Sequence, residues 1–273
     1  MKIAPGASVG ALQAGLPLDA LENRILLCHV LRLTRVGLIT NSERVLNETE
    51  AARLAALVER RVNGEPIAYI VGQREFFGLP FQVNPAVLIP RPDTELIVEL
   101  ALERLAPGAR LLDMGTGSGA IAVSVAHTRP DALVTALDVS EEALAVARAN
   151  AAANHAKVRF LRSDWFMALE NEEFDLIASN PPYIASGDDH LVQGDLRFEP
   201  SGALTDFADG LSALRTIIQG APAHLVQGGW LLLEHGYDQA EAVRALLVDA
   251  GYGEVQSWRD LGGIERVSGG RRS

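Results

Sequence analysis

The sequence lacks several features that would place it in common classes of protein. Cys28 is the only cysteine among 273 residues, so a disulfide within the chain is impossible and a reducing compartment is expected. No run approaches the ~18 apolar residues of a membrane-spanning helix. The first residues also lack the compact apolar region of a signal peptide. We therefore expect a cytoplasmic protein with no membrane partner.

Two kinds of reactive site are also missing from the sequence. The six histidines and the lone cysteine show no spacing that is typical of metal ligands, so we expect no bound metal. No serine or cysteine lies in a nucleophile-elbow motif, which argues against a hydrolase that works through a covalent intermediate.

Positive charge is scarce in the C-terminal two thirds of the chain. Residues 1–92 carry 10 Lys and Arg against 8 Asp and Glu, a net charge of +2, whereas residues 93–273 carry 14 against 27, a net charge of −13. Proteins that bind phosphate backbones usually need clustered Lys and Arg. The charge balance therefore argues against direct nucleic-acid binding, but only weakly, because a local basic patch can hide within a negative total.

A helical pattern occupies the N-terminal part of the chain, residues 1–72. Apolar residues recur at helical spacing through "PLDALENRILLCHVLRLTRV". A further helix opens with Asn47 and Glu50, a capping-box arrangement, and ends at Gly64 with Pro66 just beyond. The sequence therefore predicts a small helical domain.

The pattern changes after residue 72. The segment 73–92 has aromatic and β-branched residues around Gly78-Leu79-Pro80, which predicts a hairpin that links two domains. Residues 93–273 alternate short apolar runs with helical patterns, which predicts βαβ units and a mostly parallel sheet with helices on both faces. Among these elements, a helix is predicted over "GLSALRTIIQGAPAHL" and a strand over "GGWLLLEHG". A terminal antiparallel hairpin is expected around Gly262-Gly263. The expected fold class is α/β, and such sheets bind ligands at the carboxyl ends of their strands.

A glycine-rich loop follows the first strand of the predicted sheet. "LLDMGTGSGAIAV" places Gly115, Gly117 and Gly119 between a strand and a helix, where glycines let backbone N–H groups approach a ligand closely. With Ala120 the spacing also satisfies the dinucleotide fingerprint, and a simple tight turn is a third interpretation. Asp113 favours another ligand, because its carboxylate would repel a pyrophosphate and attract a cationic amino group. S-adenosylmethionine has such a group, and a sulfonium as well.

Acidic residues follow the next two strands. Asp138 ends "LVTALD" about twenty residues after the glycines, where an acid can accept both hydroxyls of a ribose. Asp138 could instead cap the next helix, but Ser140 suits that role better. Asp164 and Trp165 follow the third strand and could lie beside an adenine. Trp165 is equally well interpreted as a core residue.

The fourth strand ends in "SNPPYI", with Asn180, Pro181, Pro182 and Tyr183 at its end. Asn and Pro are common in turns, yet a turn does not need this set. The Asn180 side chain and the Pro181 carbonyl offer two acceptor oxygens, the prolines fix the geometry, and Tyr183 supplies a flat face. This corner suits a planar group that bears an –NH2, either an amide or an amino-purine.

The corner also suggests a chemistry. Amide and amino-purine nitrogens are poor nucleophiles, whereas a methyl group on a sulfonium is a reactive electrophile. Transfer between them needs mainly positioning in line at near-attack distance. Hydrogen bonds to Asn180 and Pro181 would strengthen as positive charge grows on the nitrogen, so no strong general base is required.

Taken together, these motifs resemble the HemK/PrmC family, the glutamine N5-methyltransferases of peptide chain release factors. The resemblance covers nearly the whole chain. It rests on "EPIAYIVGQREFFGLPFQVNPAVLIPRPDTE" (Glu65–Glu95), "LLDMGTGSGAIAV", "SDW", "SNPPYI", "RFEPSGALTDFADGL" (Arg197–Leu211) and "LLLEHG". The Asn-Pro-Pro-Tyr motif alone is shared with adenine-N6 DNA methyltransferases, and the segment that ends in "IPRPDTE" is far more specific.

The resemblance implies a Rossmann-like, S-adenosylmethionine-dependent methyltransferase sheet with a C-terminal antiparallel hairpin, preceded by a small helical domain. Residues 1–72 would recognise the release factor, 73–92 would be the hairpin linker, and 93–273 would form the catalytic domain. The substrate glutamine, in a Gly-Gly-Gln loop, would bind at Asn180, Pro181, Pro182 and Tyr183. The implied contacts with S-adenosylmethionine, in addition to Asp113, are Gly115, Thr116, Gly117, Ser118, Gly119, Asp138, Trp165 and Asn180.

Three other functions remain open at this point. A nucleic-acid adenine-N6 methyltransferase shares the corner, but the acidic catalytic half disfavours it. A non-catalytic cofactor-binding module is disfavoured by the intact Asn-Pro-Pro-Tyr motif, and a nicotinamide dehydrogenase by Asp113. We expect a monomer, and the roles of Glu234 and His235 are left open.

Overall fold

The structure, a computed structural model, describes residues 3–273. The chain divides after Gly72 into two compact units. Each unit has its own hydrophobic core.

The first unit is helical. Its described residues form α1 (Val9–Gly15), α2 (Ala20–Leu31), α3 (Arg35–Thr40), α4 (Glu48–Val62) and α5 (Ile67–Val71).

Capping residues and one apolar core explain these helices. The Asp19 side chain accepts hydrogen bonds from two backbone N–H groups at the start of α2, and Asn47 with Glu50 forms the expected capping box on α4. The faces of α2 and α4 bury Leu27 and Leu54 in a shared cluster, where both side chains are fully buried. The helical pattern of the sequence is thus confirmed in this unit.

The second unit begins with an antiparallel hairpin, β1 (Gln73–Phe76) and β2 (Leu79–Gln82). Its turn contains Phe77 and Gly78, both with positive φ. Phe76 and Phe81 are buried in the same core cluster as the following helix, α6 (Glu95–Arg104). The hairpin therefore packs as part of the second unit.

A seven-stranded sheet dominates the second unit. Its strands are β3 (Arg110–Met114), β4 (Leu133–Asp138), β5 (Val158–Arg162), β6 (Phe174–Ser179), β7 (Leu225–Glu234), β8 (Tyr252–Arg259) and β9 (Glu265–Arg272). The connecting helices are α7 (Ala120–Thr128), α8 (Glu141–Ala153), α9 (Ser201–Leu204), α10 (Ser212–Gly220) and α11 (Ala240–Asp249).

The order of the strands positions the ligand-binding edge. The sheet runs β5-β4-β3-β6-β7-β9-β8, with β3 to β7 parallel and with β8 and β9 as the expected C-terminal antiparallel hairpin. The chain reverses its direction of winding between β3 and β6, so the switch in strand order lies between their carboxyl ends. Ligands of open α/β sheets bind at this point, and both the glycine loop and Asn180 follow these two strands.

Two details of the second unit differ from the sequence-based expectation. The helix predicted over "GLSALRTIIQGAPAHL" ends at Gly220, because Pro222 favours the short 3-10 turn Ala221–Ala223 instead. The strand predicted from "GGWLLLEHG" begins earlier, at Leu225. Among residues 3–273 no helix is long and apolar enough to cross a membrane.

Candidate active site

A cavity of about 620 Å³ lies at the carboxyl edge of the sheet. Its wall includes residues from the end of each of four parallel strands: Gly115 after β3, Asp138 at the end of β4, Asp164 after β5 and Asn180 after β6. The volume is within the ~300–1,000 Å³ range of small-molecule sites. The fold therefore brings the predicted residues of these four strand ends to one site.

The glycine loop forms one wall of the cavity. Gly115, Thr116, Gly117 and Ser118 line it, and the two glycines have φ of 70° and 54°, which favour glycine. A Cβ atom added to either glycine would meet nothing within 4 Å, so the backbone of this loop is open to a ligand.

Gly119 has a different role from the other two glycines, because it does not line the cavity. A Cβ there would lie 3.1 Å from Val123 and 3.2 Å from Ala147. The absence of a side chain at Gly119 thus lets the start of α7 pack closely against α8.

Asp113 lies beneath the loop and is fully buried. Its Oδ2 accepts hydrogen bonds from the Thr116 hydroxyl at 2.6 Å and from the Ala122 N–H at 3.1 Å, and its Oδ1 has no partner within the described residues. Burial raises the pKa of Asp113 to about 7, against the effect of these hydrogen bonds. Asp113 therefore holds the loop from below, and it does not form part of the cavity wall.

Asp138 lies at the opposite side of the same loop. Its Oδ2 accepts the Gly117 N–H and its Oδ1 accepts the Ser140 N–H, both at 2.9 Å. Ser140, as expected, is the residue that caps α8, through the Ala143 N–H. Burial raises the pKa of Asp138, and the carboxylate keeps lone pairs for a ligand that enters the cavity.

Asp164 and Trp165 both line the cavity after β5. Trp165 has a φ of 44° and also packs against the core cluster beside α10. The two interpretations of Trp165, as a core residue and as a cavity residue, are therefore compatible.

Asn180 stands between two cavities. It lines the large cavity and also a smaller one of about 70 Å³, which is bounded by Pro181 and Tyr183 and by the apolar side chains of Leu88, Ile184, Leu196 and Leu204. The Asn180 Nδ2 donates to the Thr94 hydroxyl at 3.2 Å, which turns its Oδ1 away from Thr94. Pro182 faces the large cavity, so the Asn-Pro-Pro-Tyr corner separates the two spaces.

Tyr183 is held at both of its ends. Its hydroxyl donates to Glu234 Oε1 at 3.3 Å, and its carbonyl accepts from Gln239 Nε2 at 3.0 Å. Burial, with the Glu234 carboxyl beside it, raises the pKa of Tyr183, so the phenol stays protonated. Gln239 Nε2 also donates to the Gly210 carbonyl, which ties the corner to the segment before α10.

An ion pair fixes the rim beside the smaller cavity. Arg91, which lines both cavities, pairs with Glu199, and Glu199 also accepts the Ile89 N–H at 3.4 Å. The Glu199 side chain is fully buried, and burial raises its pKa against the attraction of Arg91. The pair joins the "LIPRPDTE" segment to the "RFEPSGAL" segment.

Sequence reasoning found the strand-end residues and missed those that support them. Thr94, Arg91, Glu199 and Gln239 were not singled out. Arg91 and Thr94 lie within Glu65–Glu95, and Glu199 lies within Arg197–Leu211, the two long segments on which the family resemblance rests. Nothing in the sequence marks Gln239 except its position shortly after β7. His190, in contrast, is an exposed loop residue paired with Asp188, and it takes no part in the site.

Two models of known protein families match parts of the chain. The family model described as "Methyltransferase small domain" matches residues 92–196, and "PrmC N-terminal domain" matches residues 11–72.

Curated relatives are similar over nearly the full length. "Release factor glutamine methyltransferase" of Burkholderia pseudomallei is 55% identical over 279 residues, which cover 99% of this chain and 98% of the relative. The protein of the same name from Bordetella pertussis is 56% identical and covers 94% of this chain and 95% of the relative.

Solved structures confirm the fold. A methyltransferase from Pyrococcus furiosus, 23% identical, superposes with a TM-score of 0.56 over 79% of this chain and 97% of its own. A 16S rRNA methyltransferase from T. thermophilus in complex with AdoMet and guanosine, 24% identical, gives 0.54 over 74% of this chain and 50% of its own. The sheet is thus that of a Rossmann-like methyltransferase. Because these curated relatives are more than half identical to it over nearly their full length, the chain belongs to the release factor glutamine methyltransferase family.

Proposed function

We propose that this protein transfers a methyl group from S-adenosyl-L-methionine to the side-chain amide nitrogen, N5, of the glutamine in the Gly-Gly-Gln motif of peptide chain release factors. The observation that carries the proposal is the position of Asn180 between the two cavities. One cavity is large enough for a cofactor, and the smaller one leads to the acceptor oxygens of the corner.

The residues of the large cavity fit S-adenosylmethionine. The open glycine backbone at Gly115 and Gly117 admits a close ligand, and the Asp138 carboxylate can accept two ribose hydroxyls. Trp165 offers an apolar face to an adenine. Asp113, which is buried outside the cavity wall, would contribute by holding Thr116 of the loop in place and not by contact with the ligand.

The corner fits an amide in the smaller cavity. When bound, S-adenosylmethionine supplies a methyl group activated by the sulfonium. Asn180 Oδ1 and the Pro181 carbonyl would accept the two N–H groups of the substrate amide, while the ring of Tyr183 supports its plane. These two acceptors stabilise the positive charge that develops on the nitrogen. The proton can leave after transfer, so the chain needs no strong base at this site.

The helical unit suits a role in substrate recognition. We propose that residues 1–72 recognise the release factor and that the hairpin segment 73–92 connects them to the catalytic domain, 93–273. The support is the match of residues 11–72 to the PrmC N-terminal family model. We further propose that the enzyme acts as a monomer in the cytoplasm, where release factors work, and that it binds no nucleic acid directly.

The test is methyl transfer from labelled S-adenosylmethionine to a purified release factor. We expect label in the factor, at the Gly-Gly-Gln glutamine by tandem mass spectrometry. Replacement of that glutamine in the release factor should abolish the transfer of label. DNA and RNA offered without protein serve as parallel substrates. Label that persists without the glutamine, or that appears in nucleic acid alone, would overturn the proposal.

A further inference from the structure

A buried asparagine of α8 lies behind the glycine loop and lines neither of the two cavities. Asn150 is fully buried. Its Nδ2 donates to the Ser118 carbonyl at 2.8 Å and to the Gln82 carbonyl at 3.0 Å, and its Oδ1 accepts the Gln82 N–H at 2.7 Å. An asparagine amide has two N–H groups and one acceptor oxygen, so every polar group of this side chain has a partner.

The hairpin determines which way this amide points. Only the oxygen of the Asn150 amide can accept the Gln82 N–H, and only its nitrogen can donate to the Gln82 carbonyl. The reversed amide would place its oxygen against two carbonyl oxygens, so these two bonds exclude it. The second hydrogen of Nδ2 then points to Ser118, and β2 therefore decides where the glycine loop is held.

The bond from Asn150 fixes the peptide group that joins Ser118 to Gly119. The carbonyl of this group accepts from Asn150, and its N–H donates to the Thr116 carbonyl at 2.8 Å. The residues on either side of Ser118 are Gly117 and Gly119, which rotate more freely than residues with a side chain. Without the bond from Asn150 this peptide group would turn at little cost, and with it the cavity wall that Ser118 forms.

We propose that Asn150 is a positioning residue that holds the glycine loop in the conformation that binds S-adenosylmethionine, and that β2 acts on the cofactor site through it. A loop that is fixed before binding loses less conformational entropy when the ligand enters. This role rests on the proposed function for the identity of the ligand in the large cavity. It gives the hairpin a second task in addition to that of a linker.

The same helix offers a matched control one turn further on. Asn154 is also buried, and its Nδ2 donates to the Pro80 carbonyl of β2 and to the Asn150 carbonyl, both at 3.0 Å. Within residues 3–273, none of the hydrogen bonds of Asn154 reaches the glycine loop. Asn154 therefore joins α8 to the same strand without holding the loop.

Two variants test the role of Asn150. Asn150→Leu and Asn154→Leu each replace the amide by an apolar side chain of similar shape, and calorimetric titration of the full chain measures the Kd for S-adenosylmethionine. We expect Asn150→Leu to raise this Kd about tenfold, equivalent to ~1.4 kcal/mol, and Asn154→Leu to leave it within about twofold of wild type. The melting temperature should fall in both variants, because each leaves buried carbonyls without a donor.

Two further measurements separate positioning of the loop from a general loss of stability. Without cofactor, hydrogen exchange at the Gly119 amide should be faster in Asn150→Leu than in wild type and unchanged in Asn154→Leu. With release factor as substrate, Asn150→Leu should raise the KM for S-adenosylmethionine and leave kcat at saturating cofactor within about twofold of wild type, because the bound cofactor restores the loop.

The outcomes distinguish this inference from the proposed function. A wild type that binds S-adenosylmethionine but does not methylate release factor would overturn the proposed function and leave the role of Asn150 standing or falling on the Kd values. A wild type that does not bind S-adenosylmethionine would remove both. Equal Kd values for the two folded variants, or unchanged exchange at Gly119 in Asn150→Leu, would overturn the role of Asn150 alone.

A second pair of variants covers the case in which Asn150→Leu fails to fold. Asn150→Asp keeps an oxygen for the Gln82 N–H and loses the amide nitrogen that donates to Ser118, and Asn154→Asp is its control. The Kd for S-adenosylmethionine should again rise in the first and stay near the wild-type value in the second. Equal Kd values for this pair would contradict the assignment.

Discussion

Asn180 is one of four residues that line both cavities, and its side-chain amide is hydrogen-bonded through its nitrogen to Thr94. We expect Asn180→Ala to lower kcat more than about tenfold, because one of two acceptors for the developing charge is lost. The melting temperature should stay near that of the wild type, since Asn180 is only half-buried. Steady-state kinetics on release factor measures the first and calorimetry the second. Asn171→Ala, at an exposed turn, is the control, and a turnover within twofold of wild type for Asn180→Ala would contradict the assignment.

Asp113 makes a separate prediction about pH and stability. Its pKa is about 7 in the folded chain and about 4 when unfolded, so between these values the folded state holds a proton that the unfolded state releases. The stability that this proton provides is complete below pH 4 and is lost as the pH rises to 7. An asparagine does not titrate in this range, so Asp113→Asn does not lose this part of its stability as the pH rises. Relative to wild type, its free energy of unfolding should therefore rise between pH 5 and 8, by an amount on the order of 1–3 kcal/mol.

Urea unfolding at pH 5 and at pH 8 tests this expectation. The pKa of Glu234 is also raised, so the free energy of unfolding depends on pH through Glu234 in both the wild type and Asp113→Asn. Only the difference in unfolding free energy between the two proteins reports on Asp113. A difference that is the same at both pH values would show that Asp113 titrates normally in the folded protein.

At the scale of elements, the segment before α10 must approach the corner very closely. Gly210 has a φ of 80°, and a Cβ atom there would lie 2.6 Å from the Tyr183 carbonyl oxygen and 3.0 Å from Gln239 Nε2. Gly210→Ala should therefore displace Tyr183 and break the Gln239 hydrogen bonds. We expect a loss of about 1–3 kcal/mol in stability from the backbone conformation. We also expect a fall in kcat that exceeds the fall in S-adenosylmethionine affinity.

Gly251→Ala provides the matched control for this prediction. Gly251 has a φ of 84°, and a Cβ atom there would meet nothing within 4 Å. The two variants share the backbone strain and differ in the contact with the corner. Equal kcat values for the two variants would show that the close approach at Gly210 has no effect on catalysis.

The ends of the strands and the start of α4 could be predicted from the sequence alone. Strand ends were predictable because a buried apolar run must stop where a polar residue such as Asp138 or Asn180 appears, and parallel strands bring such ends to one edge. The capping box at Asn47 was predictable because its hydrogen bonds are local. The family resemblance, now confirmed, indicated which substrate to expect, a peptide chain release factor.

Residues that act over long sequence separations could not be found in this way. Thr94 meets Asn180 across 86 residues, and Arg91 meets Glu199 across 108. No local pattern marks such pairs, because their geometry depends on the order of strands in the sheet. The buried position of Asp113 beneath the loop has the same origin, since it depends on how α7 packs above β3.

At the scale of the whole molecule, our proposal assigns cofactor binding and recognition of the protein substrate to different units. Every residue that lines the large cavity lies between Pro85 and Thr216, within the second unit. The first unit has an independent core, and its described residues contribute nothing to the wall of that cavity. Cofactor binding and recognition of the protein substrate should therefore protect different parts of the chain.

Hydrogen exchange on the full chain measures this separation. Saturating S-adenosylmethionine should slow exchange at the loop after β3, at Asp138 and at the corner after β6, because a ligand that binds only the folded state suppresses local opening around it. Exchange in α2 and α4 should stay unchanged. Adding a release factor should then slow exchange in helices of the first unit, whereas a factor of unrelated sequence should not. Protection of the first unit by the cofactor alone, or its absence with the release factor, would contradict the assignment of recognition to residues 1–72.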